Sequence, residues 1–554
     1  MAQPYYITTP IYYVNDRPHI GHCYTSLLAD VAARFERMSR GQPSPSKDVF
    51  YLTGTDEHAD KVVTSGAQHG MTPLQWADRN AAEFQKAFAF MGFSHDDFIR
   101  TTQERHKSKV IEYVRALQAS GDVYLGDYVG WYDESQDEYL TETVAKDSPQ
   151  GPYTSPVTGK PLVKRTEKNY FFKLSKYEAR LRKHIDECQA RGAPFVSPDA
   201  RQNEVLGRLR TGLQDVPISR AVGAEAESQW GIRMPDDPSH RIYVWIDALF
   251  NYLSAVDNDD RRRFWPPAYH VMAKDILWFH AVIWPCMLMA LKDGDPKRYG
   301  FVELPRRIYS HAYWVREGKK MSKSLGNFVT IEVLEAYAQK FSLDALRWYM
   351  VTQGPLGATD ADFSHSKFVE VYNADLANGI GNCASRVGNM IEKYFDGKVP
   401  DPHGVTSHAD YYWPMHVEAA SKKAAAAAAA MDLNSLAHAG MDLVRAVDAF
   451  IGVTTPFKLA KEVDADTTGE KKKKLGIILY QCAETVRIAT VLLSPILTAR
   501  MPRQWETWNC TPPADAAFDD LVIFGGKHSL KPGHQLTKGE VLFMRADPAE
   551  APPA

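Results

Sequence analysis

The sequence predicts an α/β protein in which a parallel sheet is split by an inserted domain and followed by a helical bundle. Apolar strands alternate with amphipathic helices before residue 120 and again after residue 220, which is the pattern of a parallel sheet. Between these two parts lie short aromatic strands with turn signals, and beyond about residue 344 the spacing is almost wholly helical. The 554 residues suffice for three to four domains.

The first part, residues 1–120, begins with a strand, a helix and a second strand. Aromatic and β-branched residues predict the first strand at 5–10, and apolar spacing predicts the helix at 19–37. Ligands of a parallel sheet usually bind at the carboxyl ends of its strands, so residues that follow the strands are candidates for a site. The other predicted elements are a strand at 49–53 and helices at 72–92 and 105–120.

We place the insertion at residues 121–220. Turn signals such as Thr158-Gly159 separate its short strands, and a charged helix is predicted at 176–191. The sheet pattern resumes at residues 221–325. There the predicted strands are 241–246, 270–272 and 307–310.

The last part of the chain is helical. A connecting segment at residues 326–365 leads into a bundle within residues 366–515, whose predicted helices are 367–394, 417–451 and 472–497. Alanine is the best helix former, so the alanine-rich run at 424–430 is expected to be an exposed helical segment. Residues 516–554 are expected to form a tail that frays after Asp547.

Composition and charge exclude several classes of protein. Hydrophobic residues make up 44% and charged residues 24% of the chain, which excludes a disordered, collagen-like or coiled-coil protein. The 65 basic and 68 acidic residues give a net charge of -3, which excludes binding of polyanions by bulk positive charge. Any contact with nucleic acid must therefore be local.

Cysteine spacing and the start of the sequence favour a cytoplasmic protein. No two of the six cysteines stand in a CxxC or comparably close spacing, which argues against a cysteine zinc knuckle and a disulfide scaffold. The longest apolar run, residues 276–291, is interrupted by His280 and Pro285 and is too short to span a bilayer comfortably. Strand-like sequence begins at Tyr5, which leaves no room for a signal or transit peptide.

The first of two motifs that carry chemistry is His19-Ile20-Gly21-His22, at the start of the first helix. Two imidazoles three residues apart lie on one helical face, and they can donate to phosphate at a helix N-terminus, where the dipole favours anions. Gly21 lets a flat base or a ribose approach the backbone. By itself, such a histidine pair is more often a packing or solvent-facing feature.

The second motif is the loop Lys320-Met321-Ser322-Lys323-Ser324-Leu325-Gly326-Asn327. Lys320 and Lys323 place two ammonium groups among small polar residues, which suits a triphosphate whose charge grows on the leaving pyrophosphate. By itself, such a loop is more often a solvated basic surface.

Together, the two motifs resemble the signatures of the class I aminoacyl-tRNA synthetases, His-x-Gly-His and Lys-Met-Ser-Lys-Ser, and their order and separation fit as well. The resemblance implies a Rossmann-type nucleotide fold split by a connective insertion, a stem-contact segment at residues 326–365 and an anticodon-binding helical bundle. It further implies that the catalytic and ATP-binding residues are His19, His22, Lys320 and Lys323, with Gly21 and Asp275 on the adenosine side.

Within this class, residues 8–15, 53–58, 243–248 and 274–280 are similar to the methionyl-tRNA synthetase family. The resemblance covers most of the chain and implies that Asp56 holds the α-amino group of methionine. The implied methionine pocket is lined by Ile11, Tyr13, Trp245, Ala248, Tyr252, Ile276 and His280.

These residue types agree with a methionine pocket. Aromatic rings surround a polarisable thioether favourably, and Tyr252 or His280 can donate weakly to its sulfur. Without the two motifs, Trp245 and Tyr252 would more simply be core aromatics. Leu249 stands where the family often has proline, and both residues are apolar.

The insertion departs from the family pattern. Many members carry zinc knuckles there, but Asp133 and Gln136 occupy the positions of the first cysteine pair, and Ser155 and Thr158 fall in the second knuckle region. None of these side chains is a soft ligand, so we predict the zinc-free form of this domain, held together by packing.

In the bundle, Asn378, Asn382 and Arg386 match the helix that reads the methionine anticodon in this family. Their intervals of four place them on one helical face, where amides can bond to base edges and a guanidinium can stack, although mid-helix asparagine can also be structural. Phe457 replaces the anticodon-stacking tryptophan of the family, which keeps a ring for stacking and loses an N–H donor.

The activity implied is the joining of methionine and ATP to methionyl-adenylate and pyrophosphate, followed by transfer of methionine to the terminal adenosine of tRNA(Met). The expected cofactors are ATP and magnesium without structural zinc, and a monomer without membrane attachment is expected. One alternative is a synthetase for isoleucine, valine or leucine, which usually has a larger editing insertion. Another is a catalytically silent tRNA-binding homologue, against which the intact histidines and lysines argue.

Overall fold

The computed structural model describes residues 3–553 except 135–137, 141, 317, 322–326, 538 and 550. At its centre lies a six-stranded sheet whose neighbouring strands are parallel, which confirms the predicted α/β class. From edge to edge the strands are Asp97–Arg100, Val49–Asp56, Tyr5–Tyr13, Tyr269–Ala273, Ile308–His311 and Val196–Ser197. Their order reverses between Tyr5–Tyr13 and Tyr269–Ala273, where sheets of this kind have their ligand crevice.

Two local features shape the pairing of the first three strands along the chain, Tyr5–Tyr13, Val49–Asp56 and Asp97–Arg100. The register of the first strand against the second shifts between Thr8 and Ile11, around Pro10, which has no N–H for the ladder. On the second strand, a Cβ at Gly54 would lie 1.9 Å from the carbonyl oxygen of Ile99. The second and third strands therefore approach more closely than a side chain at this position would allow.

The helices of the first part lie close to the predicted positions, with one further helix that was not predicted, Asp60–Gln68. The predicted ones are Ile20–Ser39, Pro73–Phe90 and Glu104–Ala119. The short helices of the second sheet half are Ala226–Gln229, Asn251–Ser254, Arg262–Phe264, Lys274–Ile276, Phe279–Ile283, Trp284–Gly294 and Pro296–Tyr299.

The predicted strand at 241–246 is wrong in its second half. The strand Asp237–Ile242 belongs to a separate antiparallel sheet with Ser219–Ala221 and Arg233–Met234, and a helix follows at Val244–Leu249. A short apolar run has no periodicity that distinguishes a strand from a buried helix, so tertiary burial decides. The helix places Trp245 and Ala248 three residues apart on one face.

The insertion forms a four-stranded antiparallel sheet in the order Glu138–Leu140, Val123–Asp133, Val163–Phe172 and Val216–Pro217. Its helices are Glu142–Lys146, Leu174–Tyr177, Glu178–Ala190 and Asp199–Leu209. The strand Val196–Ser197 falls within the predicted insertion but pairs with Ile308–His311 in the central sheet. The chain thus returns to that sheet before residue 220, and the domain boundaries themselves stay predictions.

In the second knuckle region the chain makes a compact serine turn. Ser155 Oγ accepts the backbone N–H groups of Val157 (3.3 Å) and Thr158 (3.0 Å), a turn that serine forms without metal. Asp133 is buried, whereas Gln136 lies outside the described residues. A small buried cluster in the same domain consists of Leu140, Ala145 and Leu162, with Trp131 and Tyr153 packed against it.

We expect the purified protein to hold zinc far below one equivalent per chain. Within the described part of the chain, no group of three or more histidine, cysteine, aspartate and glutamate side chains could hold a metal ion. Elemental analysis of dialysed protein tests this expectation, and the melting temperature with and without a strong zinc chelator is the control. One tightly held equivalent, or a melting temperature that falls on chelation, would contradict it.

The predicted helix at 367–394 is present but bent. The π-helical stretch Tyr372–Gly381 joins His365–Val371 to Asn382–Phe395, and Gly379 has a non-helical ψ of -113°. Upstream of it lie the helices Ile331–Phe341 and Leu343–Gln353, and three short strands, Trp314–Arg316, Lys319–Lys320 and Ala361–Asp362, form a small sheet.

The predicted helix at 417–451 consists of two helices, Trp413–Ala430 and Leu433–Thr454. Met431 adopts the left-handed conformation (φ 59°), and Asp432 Oδ1 then accepts the N–H of Ser435 (3.1 Å), which caps the second helix. The alanine run was expected to be exposed, and this is wrong for one face, where Ala424, Ala427 and Ala428 are buried.

Helix Glu470–Leu493 is the core helix of the bundle. Among the described residues it is the one helix long and apolar enough to cross a membrane, but 94% of its apolar window is buried inside the protein. The remaining elements are the helices Pro456–Leu459, Ala460–Glu462, Arg500–Thr507 and Phe518–Leu521 and the hairpin Ser407–His408 with Tyr411–Tyr412.

A buried ion pair joins the first helix to the helical part. Arg347 Nη2 lies 2.7 Å from Asp30 Oδ2, and both side chains are fully buried. Arg347 also donates to the carbonyl oxygens of Met91 (3.0 Å) and Ile496 (2.9 Å). Although burial opposes ionisation, Arg34 and Arg347 hold the pKa of Asp30 at about 2. The pair therefore stays charged and holds helix Ile20–Ser39 against helix Leu343–Gln353.

Candidate active site

A cleft of about 1880 Å³ opens at the carboxyl ends of the central strands, where the strand order reverses. It contains every residue predicted for methionine and for the adenosine side: Ile11, Tyr13, Asp56, Trp245, Ala248, Tyr252, Ile276, His280, His19, Gly21, His22 and Asp275. These residues come from five separate stretches of the chain, and the fold brings them to one cavity. Their individual roles stay predictions.

The two histidines of the first motif form a capping box at the start of helix Ile20–Ser39. His19 Nδ1 accepts the N–H of Gly21 (3.1 Å), and His22 Nδ1 accepts the N–H of His19 (3.2 Å). Burial and the neighbouring His19 hold the pKa of His22 well below its usual value, so this imidazole is neutral. Because Nδ1 is an acceptor, its proton lies on Nε2, which makes His22 an N–H donor at a helix N-terminus.

The second motif lies partly outside the described residues, which include neither Lys323 nor the side chain of Lys320. The backbone of Lys320 pairs with Val315, so the loop leaves a short hairpin. Beyond the loop, Val329 O accepts the N–H of Ile20 (3.0 Å), and the ring of Phe328 lies 4.9 Å from that of His19. The two residues that follow the loop, Phe328 and Val329, therefore contact the first motif directly.

Asp56, at the end of the second strand, is 2% exposed. Its Oδ1 is buried and has no hydrogen-bond partner within the described part of the chain. Burial, followed by the charges of Asp247 and Glu57, raises the pKa of Asp56 well above its usual value. An unpaired carboxylate oxygen in a buried cleft wall fits a cationic ligand group, such as an ammonium.

Aromatic rings form a second wall of the cleft. Trp245 stacks on Phe279, with ring centroids 4.0 Å apart, and meets Tyr13 edge to face at 6.0 Å. Phe279 lies inside one of the similar segments but is not among the predicted pocket residues, and the π-helical turn Phe279–Ile283 places its ring against Trp245. The stack gives the cleft a flat apolar face.

Tyr252 donates a hydrogen bond to His280, and His280 donates one to the backbone. His280 Nδ1 lies 3.0 Å from the carbonyl oxygen of Ile276, which can only accept, so Nδ1 carries the proton. The Tyr252 hydroxyl, 2.7 Å from Nε2, must then donate to that nitrogen. Burial lowers the pKa of His280 to about 4, which keeps the ring neutral. In this arrangement neither residue has a proton for a ligand sulfur, unlike the sequence-based expectation.

The predicted anticodon residues lie outside this cleft, on the helical part. Asn378 and Asn382 are exposed on the bent helix, and the half-exposed Arg386 has Nη1 3.7 Å from Asp448 Oδ1. Phe457 follows the helix that carries Asp448 and is 39% exposed. The structure thus presents polar and aromatic side chains at a surface distinct from the cleft.

Comparisons with known proteins agree with this geometry. The family model described as tRNA synthetases class I (M) matches residues 5–154 and 151–388. The methionine–tRNA ligase of Bacillus subtilis is 36% identical over 99% of this chain and 78% of its own length. That of Streptomyces coelicolor is 38% identical over 99% of this chain and 97% of its own length.

Solved structures give the same result. The Mycobacterium tuberculosis methionyl-tRNA synthetase in complex with methionyl-adenylate has a TM-score of 0.85 and 33% identity, covering 98% of this chain and 100% of that one. Its free form has a TM-score of 0.80 and 30% identity, covering 99% of each chain. Matched in sequence over most of its length and in structure over nearly all of it, the chain belongs to the methionyl branch of the class I tRNA synthetase family.

Proposed function

We propose that this protein is a methionine–tRNA ligase, which activates methionine with ATP and transfers it to the terminal adenosine of tRNA(Met). The observation that carries the proposal is the unpaired buried oxygen of Asp56, which shares one cleft with an aromatic wall and with the neutral His22. The cleft thus offers a carboxylate to an ammonium, aromatic rings to a thioether and an N–H donor to a phosphate. The names of the relatives and the adenylate in the neighbouring structure support the same reaction.

In the proposed first step, Asp56 binds the α-ammonium of methionine, and Trp245 with Tyr13 contacts the thioether. A carboxylate oxygen of methionine attacks the α-phosphorus of ATP, and the bond to the bridging oxygen of pyrophosphate breaks. His19 and His22 donate to the phosphate oxygens as negative charge builds on them. Pyrophosphate leaves with its charge balanced by Lys320 and Lys323. No covalent enzyme intermediate is needed.

Magnesium would accompany the triphosphate and neutralise part of its charge. It usually binds through substrate phosphates and one or two carboxylates, and Glu332 and Glu335 offer such groups on the cleft wall. In the second step a hydroxyl of the terminal adenosine attacks the carbonyl carbon of the adenylate, and AMP leaves.

ATP–pyrophosphate exchange with single amino acids tests the proposed activity. We expect exchange with methionine and at most weak exchange with isoleucine, valine or leucine. Charging of tRNA(Met) by the same preparation tests the transfer step. Exchange that requires another amino acid, or the absence of exchange with all of them, would reject the proposal.

Recognition of the anticodon is the part of the proposal that concerns the helical surface. Exposed amides at Asn378 and Asn382 can bond to base edges, and Arg386 is held near the surface by Asp448. The ring of Phe457 offers a face for a base. We also propose that the protein is a monomer and that it is cytoplasmic; the six free cysteines support the second point alone, because reduced thiols suit that compartment.

Replacing Phe457 by alanine should raise the KM for tRNA(Met) about 5- to 150-fold, because base–aromatic stacking contributes about 1–3 kcal/mol. Methionine activation without tRNA should not change, since Phe457 lies outside the cleft. Phe457→Trp should leave charging unchanged or modestly better, as it adds one N–H donor. Steady-state charging measures these effects, with Ile523→Ala, another exposed apolar residue (53%), as matched control. Equal KM values for the parent and Phe457→Ala would show that this ring does not stack on the anticodon.

A further inference from the structure

Behind the methionine pocket lies a buried polar cluster that the proposed reaction does not use. Asp247 is 1% exposed, with Oδ2 2.6 Å from His58 Nδ1 and Oδ1 2.7 Å from His106 Nε2. Although burial opposes ionisation, the two imidazoles hold the pKa of Asp247 at about 2. An ionised carboxylate can only accept, so both histidines donate to it. His106 is itself fully buried and lies 2.8 Å from Ser254 Oγ.

These contacts join the walls of the pocket at one carboxylate. His58 is two residues beyond the second strand, His106 lies on helix Glu104–Ala119, and Asp247 lies on helix Val244–Leu249. Ser254 ends the helix Asn251–Ser254. The pocket residues on the joined elements are Asp56, Trp245, Ala248 and Tyr252.

The charge of this cluster also acts on Asp56. After burial, the charge of Asp247 is the largest influence that raises the pKa of Asp56, followed by Glu57. Glu57 has its own partner, since Arg100 Nε is 2.6 Å from Glu57 Oε1. On the opposite wall, Tyr252 and His280 are both uncharged. The carboxylate of Asp247 is therefore the strongest charge that acts on Asp56.

We propose that His58, Asp247 and His106 are positioning residues for methionine: their contacts fix the pocket walls, and the carboxylate of Asp247 sets how readily Asp56 ionises. A like charge nearby disfavours the charged form of a carboxyl group. Asp247 therefore links the affinity for the ammonium of methionine to pH. This inference rests on the proposed function and adds the groups that tune its amino-acid site.

Two variants should separate the charge of Asp247 from its contacts. Asp247→Asn removes the negative charge, so Asp56 ionises more easily, and the midpoint of the acid limb of methionine binding should fall by about one pH unit. His58→Gln keeps an N–H donor and leaves the charge of Asp247 in place, so the midpoint should stay where it is in the parent. A merely structural role would weaken binding without displacing the midpoint in either variant.

The measurement is the Kd of methionine from tryptophan fluorescence between pH 5 and 9, without ATP. 4-(Methylthio)butanoate, which lacks the ammonium, should show no displacement in Asp247→Asn. The matched control is Lys109→Met, which breaks another ion pair of helix Glu104–Ala119, with buried Asp257 at 2.9 Å. Lys109→Met should lower the melting temperature and leave the midpoint of the acid limb of methionine binding unchanged.

No displacement for Asp247→Asn, an equal displacement for His58→Gln, or an equal effect on 4-(methylthio)butanoate would overturn the inference. If Asp247→Asn does not fold, Asp247→Ser tests the same displacement, because it also removes the charge. A parent protein that does not bind methionine at all would refute the proposed function instead.

Discussion

Replacing His22 by alanine should lower the rate of methionyl-adenylate formation about 100- to 1,000-fold, the effect of removing one preorganised donor from a developing anion. The neutral ring holds its N–H at the start of a helix, where contacts strengthen as charge builds on the phosphate. The affinity for methionine should change only a few-fold, because His22 belongs to the phosphate side of the cleft.

Exchange kinetics at saturating ATP separate the two effects, since kcat should fall while the KM for methionine stays nearly constant. His22→Gln is the matched control, because glutamine at this helix position can still accept the N–H of His19 and preserve the cap. It should restore the melting temperature but not the full rate. Burial and the neighbouring His19 lower the pKa of His22. Protonation of this residue should therefore not change the rate of the parent enzyme above pH 6. An alanine variant with the parent rate would remove His22 from the mechanism.

Replacing Asp56 by asparagine should raise the KM for methionine about 30- to 3,000-fold. Loss of one partner of a buried charge pair costs about 2–5 kcal/mol, and about 1.4 kcal/mol corresponds to tenfold. Equilibrium methionine binding measures the loss directly. In the parent, binding should also weaken as the pH falls through the raised pKa of Asp56, because the protonated acid cannot pair with an ammonium.

The same substitution should stabilise the free protein. A carboxyl whose pKa is raised by folding opposes folding above its unfolded pKa, and this penalty disappears as the pH falls toward that value. The melting temperature of Asp56→Asn should therefore exceed that of the parent at pH 8, and the difference should vanish near pH 4. Asp257→Asn is the contrast, because the hydrogen bonds from Lys109 and Arg262 outweigh burial and lower the pKa of Asp257, so this variant should lose stability at pH 8. Unchanged methionine affinity together with unchanged stability would contradict the role of Asp56.

The local features of the site could be predicted from the sequence, because each depends on residues that are neighbours along the chain. The histidine pair, the lysine loop and the strand ends that hold Ile11 and Asp56 are short motifs, and their order along the chain carries the family. The positions of the strands and helices around the sheet could be predicted for the same reason, because an element that buries one face has apolar residues at regular intervals. The predicted pocket residues accordingly meet in one cleft.

Other features were decided by the tertiary structure. His58 and His106 contact Asp247 although they lie 189 and 141 residues from it along the chain. No local sequence pattern predicts a contact at that separation. The helix at Val244–Leu249 and the bend at Gly379 depend on what packs around them, because short apolar runs fit either structure. Protonation states likewise depend on burial and on distant partners, as at Asp56. The sequence alone therefore determined which groups are candidates for the chemistry and their order along the chain, while only the fold decided which protons and charges those groups carry.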